Sequence, residues 1–343
     1  MSQLRITAFS EAQPQQAFVE TFCEAAQRLR QDPYRVGLLP PEADALFLMM
    51  PLPAPREFWL VERDGLVVGR IGASVSTTDP KRGTVGFFEV EPEDADAAAE
   101  LLSTAEAWLR EQGVRTVYGP VNINTWFPYR FRVGGTDDLS YSWEPVNPPA
   151  YPQHFLQAGF ETDRDYHSDR LDNFAEVYKQ YKSTFEKTLD AGYTYRPVDT
   201  GDGLDAEIPT LYRLSVAGFA NNYLFDPIPE SVFRMLYVAQ ARKRRALGCH
   251  FVSHPDHGEV GFIIGFEDEA NQFVVKSMVV LPEHQSKGLS FALARLAFGS
   301  AMERGHDALV GALLQTGNRS EASCRRTSLA WQHEYVLYRK TIA

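Results

Sequence analysis

Apolar residues recur along this chain with two periods, and each change of period marks a new element. Apolar and polar residues in alternation mark strands, whereas apolar positions three and four apart mark helices. Residues 4–10 (LRITAFS) read as a short strand, and 14–32 as a helix with Phe18, Phe22 and Ala26 on one face. Residues 56–76 read as a hairpin turning at Asp64-Gly65, a pair suited to the positive-φ positions of a type I′ turn. A strand over 83–94 ends before Pro92. An amphipathic helix over 95–113 carries Leu101, Ala105, Trp108 and Leu109 on one face and closes at Gly113. Residues 115–124 are another strand, followed by a loop rich in Pro, Gly, Tyr and Trp to about Asn147.

The second half repeats the order. It reads as a strand at 192–200, a helix within 204–221 that starts after Pro209, and a helix over 229–248 ending in the basic run 242–245. Three strands fill 249–283, with turns at Pro255–Gly258 and Glu267–Asn271. Residues 289–305 form a helix that is apolar nearly all round and is therefore expected to be buried. A strand at 307–318 and a closing strand beginning near Gln332 complete the chain. The halves align: FFEVEPED (87–94) lies over SMVVLPEH (277–284), and each strand ends in Val-x-Pro-Glu. Each is followed by a helix ending in Gly (Gly113, Gly305), then by a strand and an Asn (Asn124, Asn318). An internal duplication follows, with domains expected at 1–168 and 169–343, meeting in the polar stretch around 165–175.

Composition narrows the function classes. The 343 residues are 44% hydrophobic and 23% charged, as in a globular chain of one large or two ordinary domains. A net charge of −11 argues against a nucleic-acid or anionic-membrane partner. The three cysteines, Cys23, Cys249 and Cys324, form no CxxC and no disulfide framework, which points to a reducing, cytoplasmic setting. The first ten residues lack a signal-peptide core, and no run reaches the about 18 apolar residues of a membrane span. No His or Cys spacing indicates a metal site. His250, His254 and His257 stand near a turn and read as surface residues.

One stretch carries chemistry. In PEHQSKGLSFAL (282–293) a strand hands over to a helix through a loop with one Gly and one Lys. The first amides of a helix have no intrahelical partner, and with the helix dipole they attract phosphate. Gly288 permits close backbone approach, Lys287 adds a point charge and Gln285 a hydrogen bond. Neither a P-loop nor a three-glycine dinucleotide fingerprint is present. Taken alone, the loop is also compatible with a turn glycine beside a solvated lysine.

Gln285-Ser286-Lys287-Gly288-Leu289-Ser290 resembles the Q/R-x-x-G-x-G/A loop of the GNAT N-acetyltransferase superfamily, and the elements around it, over about 192–343, occur in that family's order. The resemblance implies an α+β fold of two tandem GNAT-like domains, each a mixed, mostly antiparallel twisted sheet flanked by helices. It implies acetyl-CoA or another acyl-CoA as co-substrate and no metal. Pantetheine would pair with Met278, Val279 and Val280, the pyrophosphate would sit on Gln285 to Ser290, and Asn318 would lie near the pantetheine. Ser290 departs from the family's Gly or Ala. The first half has Ala95 to Glu100 where the loop should be, with no Gly and with acids at the helix start, so it reads as a degenerate copy that does not hold CoA.

The implied activity is acyl transfer from CoA to an amine on a small molecule or peptide. The alternative is a non-catalytic acyl-CoA-binding or scaffold protein. The family's general-acid Tyr is absent from Ser323–Thr327, which leaves Cys324, Glu283 and Glu259 as catalytic candidates. Lys276 stands within an apolar strand. The aromatic residues of 126–151 either line an acceptor or acyl pocket or cover a core beneath a long loop. Acceptor, acyl length and oligomeric state are not legible at this level.

Overall fold

The computed structural model describes residues 4–9, 16–30, 41–135, 141, 144–172, 174–243, 245–268, 270–317 and 328–342. Contacts divide the chain into two units. One comprises Met1–Gly134, Trp143–Asp165 and Glu334–Ala343; the other comprises Gly135–Ser142 and Tyr166–His333.

The first unit opens with β1 (Leu4–Phe9), α1 (Gln16–Leu29) and α2 (Pro41–Met49). Three strands follow, β2 (Arg56–Arg63), β3 (Leu66–Val75) and β4 (Arg82–Val90), which with β1 form an antiparallel meander. The β2–β3 turn has φ +52° at Asp64 and +81° at Gly65, as the Asp-Gly pair predicts. Helix α3 (Ala95–Glu111) crosses to β5 (Thr116–Gly119), which runs parallel to β4. Asp94 caps α3 by accepting from the Ala97 amide, and Arg63 holds the Asp94 carboxylate at 2.6 Å. Leu101, Ala105 and Leu109 of α3 are buried among Val61, Ile71, Val85 and Val90. Strand β6 (Phe131–Gly134) lies in the segment read from the sequence as loop, and α4 (Ala150–Gln157) follows that segment. Their apolar side chains Phe131, Tyr151 and Phe155 join the same core.

Strand β7 (Glu161–Asp172) begins in the first unit and ends in the second. It occupies the polar stretch expected to separate the domains. The two units change within that stretch, between Asp165 and Tyr166, and the strand's polar side chains beyond it find partners in the fold. Ser168, wholly buried, bonds the Tyr141 hydroxyl at 2.8 Å and accepts the Leu313 amide at 2.9 Å. Asp169 accepts from Gln332 at 2.8 Å.

The second unit continues with α5 (Phe174–Gln180), α6 (Lys182–Asp190), β8 (Thr194–Pro197), α7 (Leu204–Phe219) and α8 (Glu230–Lys243). Helix α7 begins before Pro209, contrary to the sequence reading. Pro209 leaves the Asp205 carbonyl without its helical donor, and the Arg234 guanidinium donates to that carbonyl at 3.3 Å. Strands β9 (Arg245–His254), β10 (Gly258–Glu267) and β11 (Phe273–Val280) form an antiparallel set. A 3-10 turn at Pro282–His284 leads to α9 (Leu289–Glu303), then β12 (Ala308–Gln315) parallel to β11, and finally β13 (Ser328–Thr341). The strand order in this unit is β7-β12-β11-β10-β9-β8. Residues 334–341 of β13 pair with β5 and β6 of the first unit, whereas the sequence-based limits assign the closing strand to the second domain.

Both units therefore contain an antiparallel set, a helix and a parallel strand in the same order. Both parallel pairs are short: Arg82–Thr84 against Thr116–Tyr118, and Phe273–Val275 against Leu309–Gly311. Among the described residues no helix is long and apolar enough to cross a membrane.

In the first unit Gly86 admits the backbone of 121–122, since a Cβ there would stand 2.2 Å from the Val121 carbonyl oxygen. Gly86→Ala is expected to destabilise the protein by about 1–3 kcal/mol, read as a lower denaturation midpoint.

Candidate functional site

In the second unit β11 and β12 part beyond Val275 and Gly311. Lys276 is the extra residue of a bulge facing Ile264-Gly265 of β10, so the strand turns as it leaves its parallel partner. Below it, Val279 is buried against α7 so closely that a Cβ on Gly218 would lie 2.3 Å from its Cγ1. Met278 and Val280 pack on the core shared with α9.

The loop after β11 is shaped by its own backbone. Ser286 has φ +63° and Gly288 φ +84°. Gly288 is the N-cap of α9 and adopts the left-handed conformation with no side-chain cap, so the first helical amides carry no capping side chain there. Any side chain at 288 would also meet Thr184 Cγ2, which lies 2.5 Å from a Cβ position. Lys287 is exposed. Leu289 is buried, Ser290 is half-buried, and α9 is fixed by Ala292, Leu293 and Ala297 in the core. Gln285 donates its amide to the Val280 carbonyl at 3.0 Å. These two predicted ligand contacts thus bind each other and close the loop.

The predicted catalytic residues are placed as follows. Glu283 is exposed on the 3-10 turn. Glu259 on β10 is engaged by Arg196 at 3.1 Å, and Arg196 also pairs with Glu207. Glu259 is therefore part of an ion-pair network. Asn318 and Cys324 lie outside the described residues.

Two groupings were not assembled by the sequence reading, which placed His284 only beside Glu283 before the loop. Tyr237 on α8 lies beside Ser277, the residue after the bulge; removal from water pushes its phenol up to about 12. Lys276 Nζ lies 5.5 Å from its ring centroid. Second, His284 is 2% exposed; its Nδ1 bonds the Tyr193 hydroxyl and its Nε2 bonds His257 Nδ1, both at 2.8 Å. His254 stacks on His257 with centroids 4.8 Å apart, and Lys287 Nζ lies 6.0 Å from the Tyr193 ring centroid. Burial first, then the charges of Lys287, His257 and His254, push the His284 pKa down, with Glu283 opposing. Local sequence signals mark His254 and His257, but their partner His284 is remote in the chain. Among the described residues no group of His, Cys, Asp or Glu is arranged to hold a metal.

The same region of the first unit is filled. The Tyr151 hydroxyl bonds both the Val90 amide, at 3.0 Å, and the Val90 carbonyl, at 2.9 Å. Asn122 Oδ1 accepts the Phe87 amide at 2.6 Å, and the Val121 amide donates to Val85. At the start of α3 the Asp94 carboxylate occupies the helix end and is held below the usual carboxylate range by Arg63 and the Ala97 amide, against the effect of burial.

No protein-family model matches the chain. Protein YghO of Escherichia coli K12 is 26% identical over 184 residues, 51% of this chain and 46% of that relative; the match thus spans under half of YghO's length. A tandem GNAT protein from the clavulanic acid biosynthesis pathway is similar in structure, with a TM-score of 0.59 at 15% identity, covering 99% of this chain and 98% of the other. A GCN5-related N-acetyltransferase from Sphaerobacter thermophilus has a TM-score of 0.53 at 17% identity, covering 98% and 95%. A probable N-acyltransferase from Enterococcus faecalis V583 has a TM-score of 0.60 at 10% identity, covering 99% and 73%.

Because the His284 pKa is lowered in the folded state, the unfolded chain binds more protons between the folded value and about 6.5. Stability from this group is present above about pH 6.5 and is lost as pH falls through the histidine range. Melting temperature should therefore drop as pH is lowered from 7 to 5, and His284→Gln should flatten that slope. Burial lowers His250 in the same direction, so some slope remains. An unchanged slope in the variant would refute the assignment.

Proposed function

We propose that this chain, which has the tandem GNAT fold, is an acyl-CoA-dependent N-acyltransferase that works through its second unit. The carrying observation is the contrast between the units. In the second, two parallel strands part beside a left-handed Gly288 that begins α9. In the first, the corresponding backbone and helix end are occupied by Tyr151, Asn122 and Asp94.

In this reading the amides of Gly288, Leu289 and Ser290 and the Lys287 ammonium receive the pyrophosphate. Gln285 positions the loop through Val280. Met278 and Val279 supply backbone for the pantetheine arm, and the bulge at Lys276 marks the level of the thioester. The amine nitrogen loses a proton and attacks the thioester carbonyl carbon. The N–C bond forms, the C–S bond breaks, and the leaving thiolate takes up a proton. Tyr237, which keeps its proton across the neutral range, is the proposed hydrogen-bond donor to the developing charge.

Titration calorimetry with acetyl-CoA and longer acyl-CoAs should give saturable binding, abolished by Gly288→Glu. Absence of binding to every acyl-CoA would sink this reading. Binding with no thiol release across a panel of amines would leave an acyl-CoA-binding protein in its place. Tyr237→Phe should lower the rate of thiol release by about 10²-fold while the acyl-CoA dissociation constant stays unchanged; equal loss of both would make Tyr237 structural.

A further inference from the structure

Beside the loop that precedes α9 stands a cluster of rings that takes no part in the proposed acyl transfer. His284 closes the 3-10 turn leading into that loop, ahead of Gly288. His254 and His257 come from the end of β9 and the turn after it, and Tyr193 from the segment before β8. The ring centroids of Tyr193, His254 and His257 lie 5.7, 5.2 and 5.0 Å from that of His284. His284 is 2% exposed, whereas His257 is exposed and open to solvent protons.

Hydrogen bonds limit the protons this cluster holds. An imidazole nitrogen either donates or accepts. The Asp256 amide donates to His254 Nδ1 at 3.2 Å, so that nitrogen carries a lone pair and His254 is neutral. His257 Nδ1 and His284 Nε2 face each other at 2.8 Å, which requires one proton between them. His284 Nδ1 faces the Tyr193 hydroxyl at 2.8 Å, a group that both donates and accepts. The His257–His284 pair therefore accepts one proton beyond its neutral state. With that proton on either ring, the bond between the rings is kept and His284 Nδ1 donates to the Tyr193 oxygen. A second proton would set N–H against N–H and break the bond between the rings.

Charge decides whether the extra proton is present. Burial and the charges of Lys287, His257 and His254 hold His284 neutral, with Glu283 opposing. The Asp256 carboxylate lies 4.0 Å from His254 Nδ1 and is largely exposed, so water screens it. Lys287 stands on the loop itself, its Nζ 6.0 Å from the Tyr193 ring centroid. Phosphate oxygens on the loop amides would offset the Lys287 charge and add negative charge beside the pair, which favours an imidazolium. The inference rests on the acyl-CoA reading of this loop. We propose that the His257–His284 pair is a proton-linked part of the phosphate site, taking up one proton from solvent as the pyrophosphate binds, so that acyl-CoA affinity rises as pH falls through the histidine range.

Titration calorimetry of the full chain with acetyl-CoA, in buffers of different ionisation enthalpy between about pH 6 and 8, counts the protons. Uptake approaching one proton per site is expected, with a dissociation constant that falls by up to about tenfold per pH unit. The ligand's own phosphate titrates near about pH 6 with wild type and variant alike, so the difference between them is the readout. His284→Gln should lose the uptake and flatten the pH dependence. His257→Leu, at an exposed position, removes the acceptor of the His284 imidazolium and should at least halve the uptake. Circular dichroism melts establish that each variant is folded. Should both unfold, nitrogen-15 NMR of the unaltered protein decides: saturating acetyl-CoA must move His284 or His257 toward the imidazolium form, and neither moving overturns the linkage. Absence of acetyl-CoA binding at every pH overturns the acyl-CoA reading and the linkage with it. Binding without proton uptake, or uptake unchanged in folded His284→Gln, overturns the linkage alone.

Discussion

Two parallel strands that pair for three rungs and then part impose a requirement on each unit. Backbone amides and carbonyls beyond the last rung must still find partners. Each unit meets the requirement differently, and its properties follow from how it does so. The first brings Tyr151 from α4 and Asn122 from the segment after β5 onto β4. The second places a bulge at Lys276 and a glycine-gated loop beside the opening. One topology thus ends its parallel pair in two different ways.

Helix ends carry the same division. Asp94 caps α3 with its own carboxylate, in an ion pair with Arg63, and an anion finds negative charge already there. Gly288 begins α9 with backbone alone. The left-handed φ that frees those amides is strained for any residue with a side chain, and Thr184 of α6 leaves no room for one. Conformation and packing require the same residue at one position, which is why that glycine was the most informative letter of the motif.

Buried charge in the first unit is concentrated where the parallel strands open. Arg70, Glu89, Arg130 and Glu144 are all under 5% exposed. Such groups are retained only with partners, since an unpaired charge out of water is strongly destabilising. Their ion pairs, hydroxyl contacts and ring stacking meet that condition and also fix the walls of a small cavity. Within the aromatic segment 126–151, Tyr151 and Phe131 belong to the core and also line a small cavity.

The sequence by itself determined the local elements. The Asp64-Gly65 turn, the caps and faces of α3, the three strands of 249–283 and the loop at Gln285 to Ser290 rest on interactions within a few residues, so period and turn chemistry reveal them. The duplication was legible for the same reason. Tertiary structure decided what depends on partners distant in the chain. Strand β7 reads as a polar stretch, yet its Ser168 and Asp169 are buried and find partners in Tyr141, Leu313 and Gln332. Helix α7 runs through Pro209 because Arg234 takes the vacated carbonyl. The closing strand joins β5, and Glu259 is drawn into the pairing with Arg196. His284 meets Tyr193 and His257, and Tyr237 meets Ser277, only once the sheet and helices are assembled. A hydrogen bond between remote residues leaves no periodic trace in the chain, so the folded backbone alone discloses it.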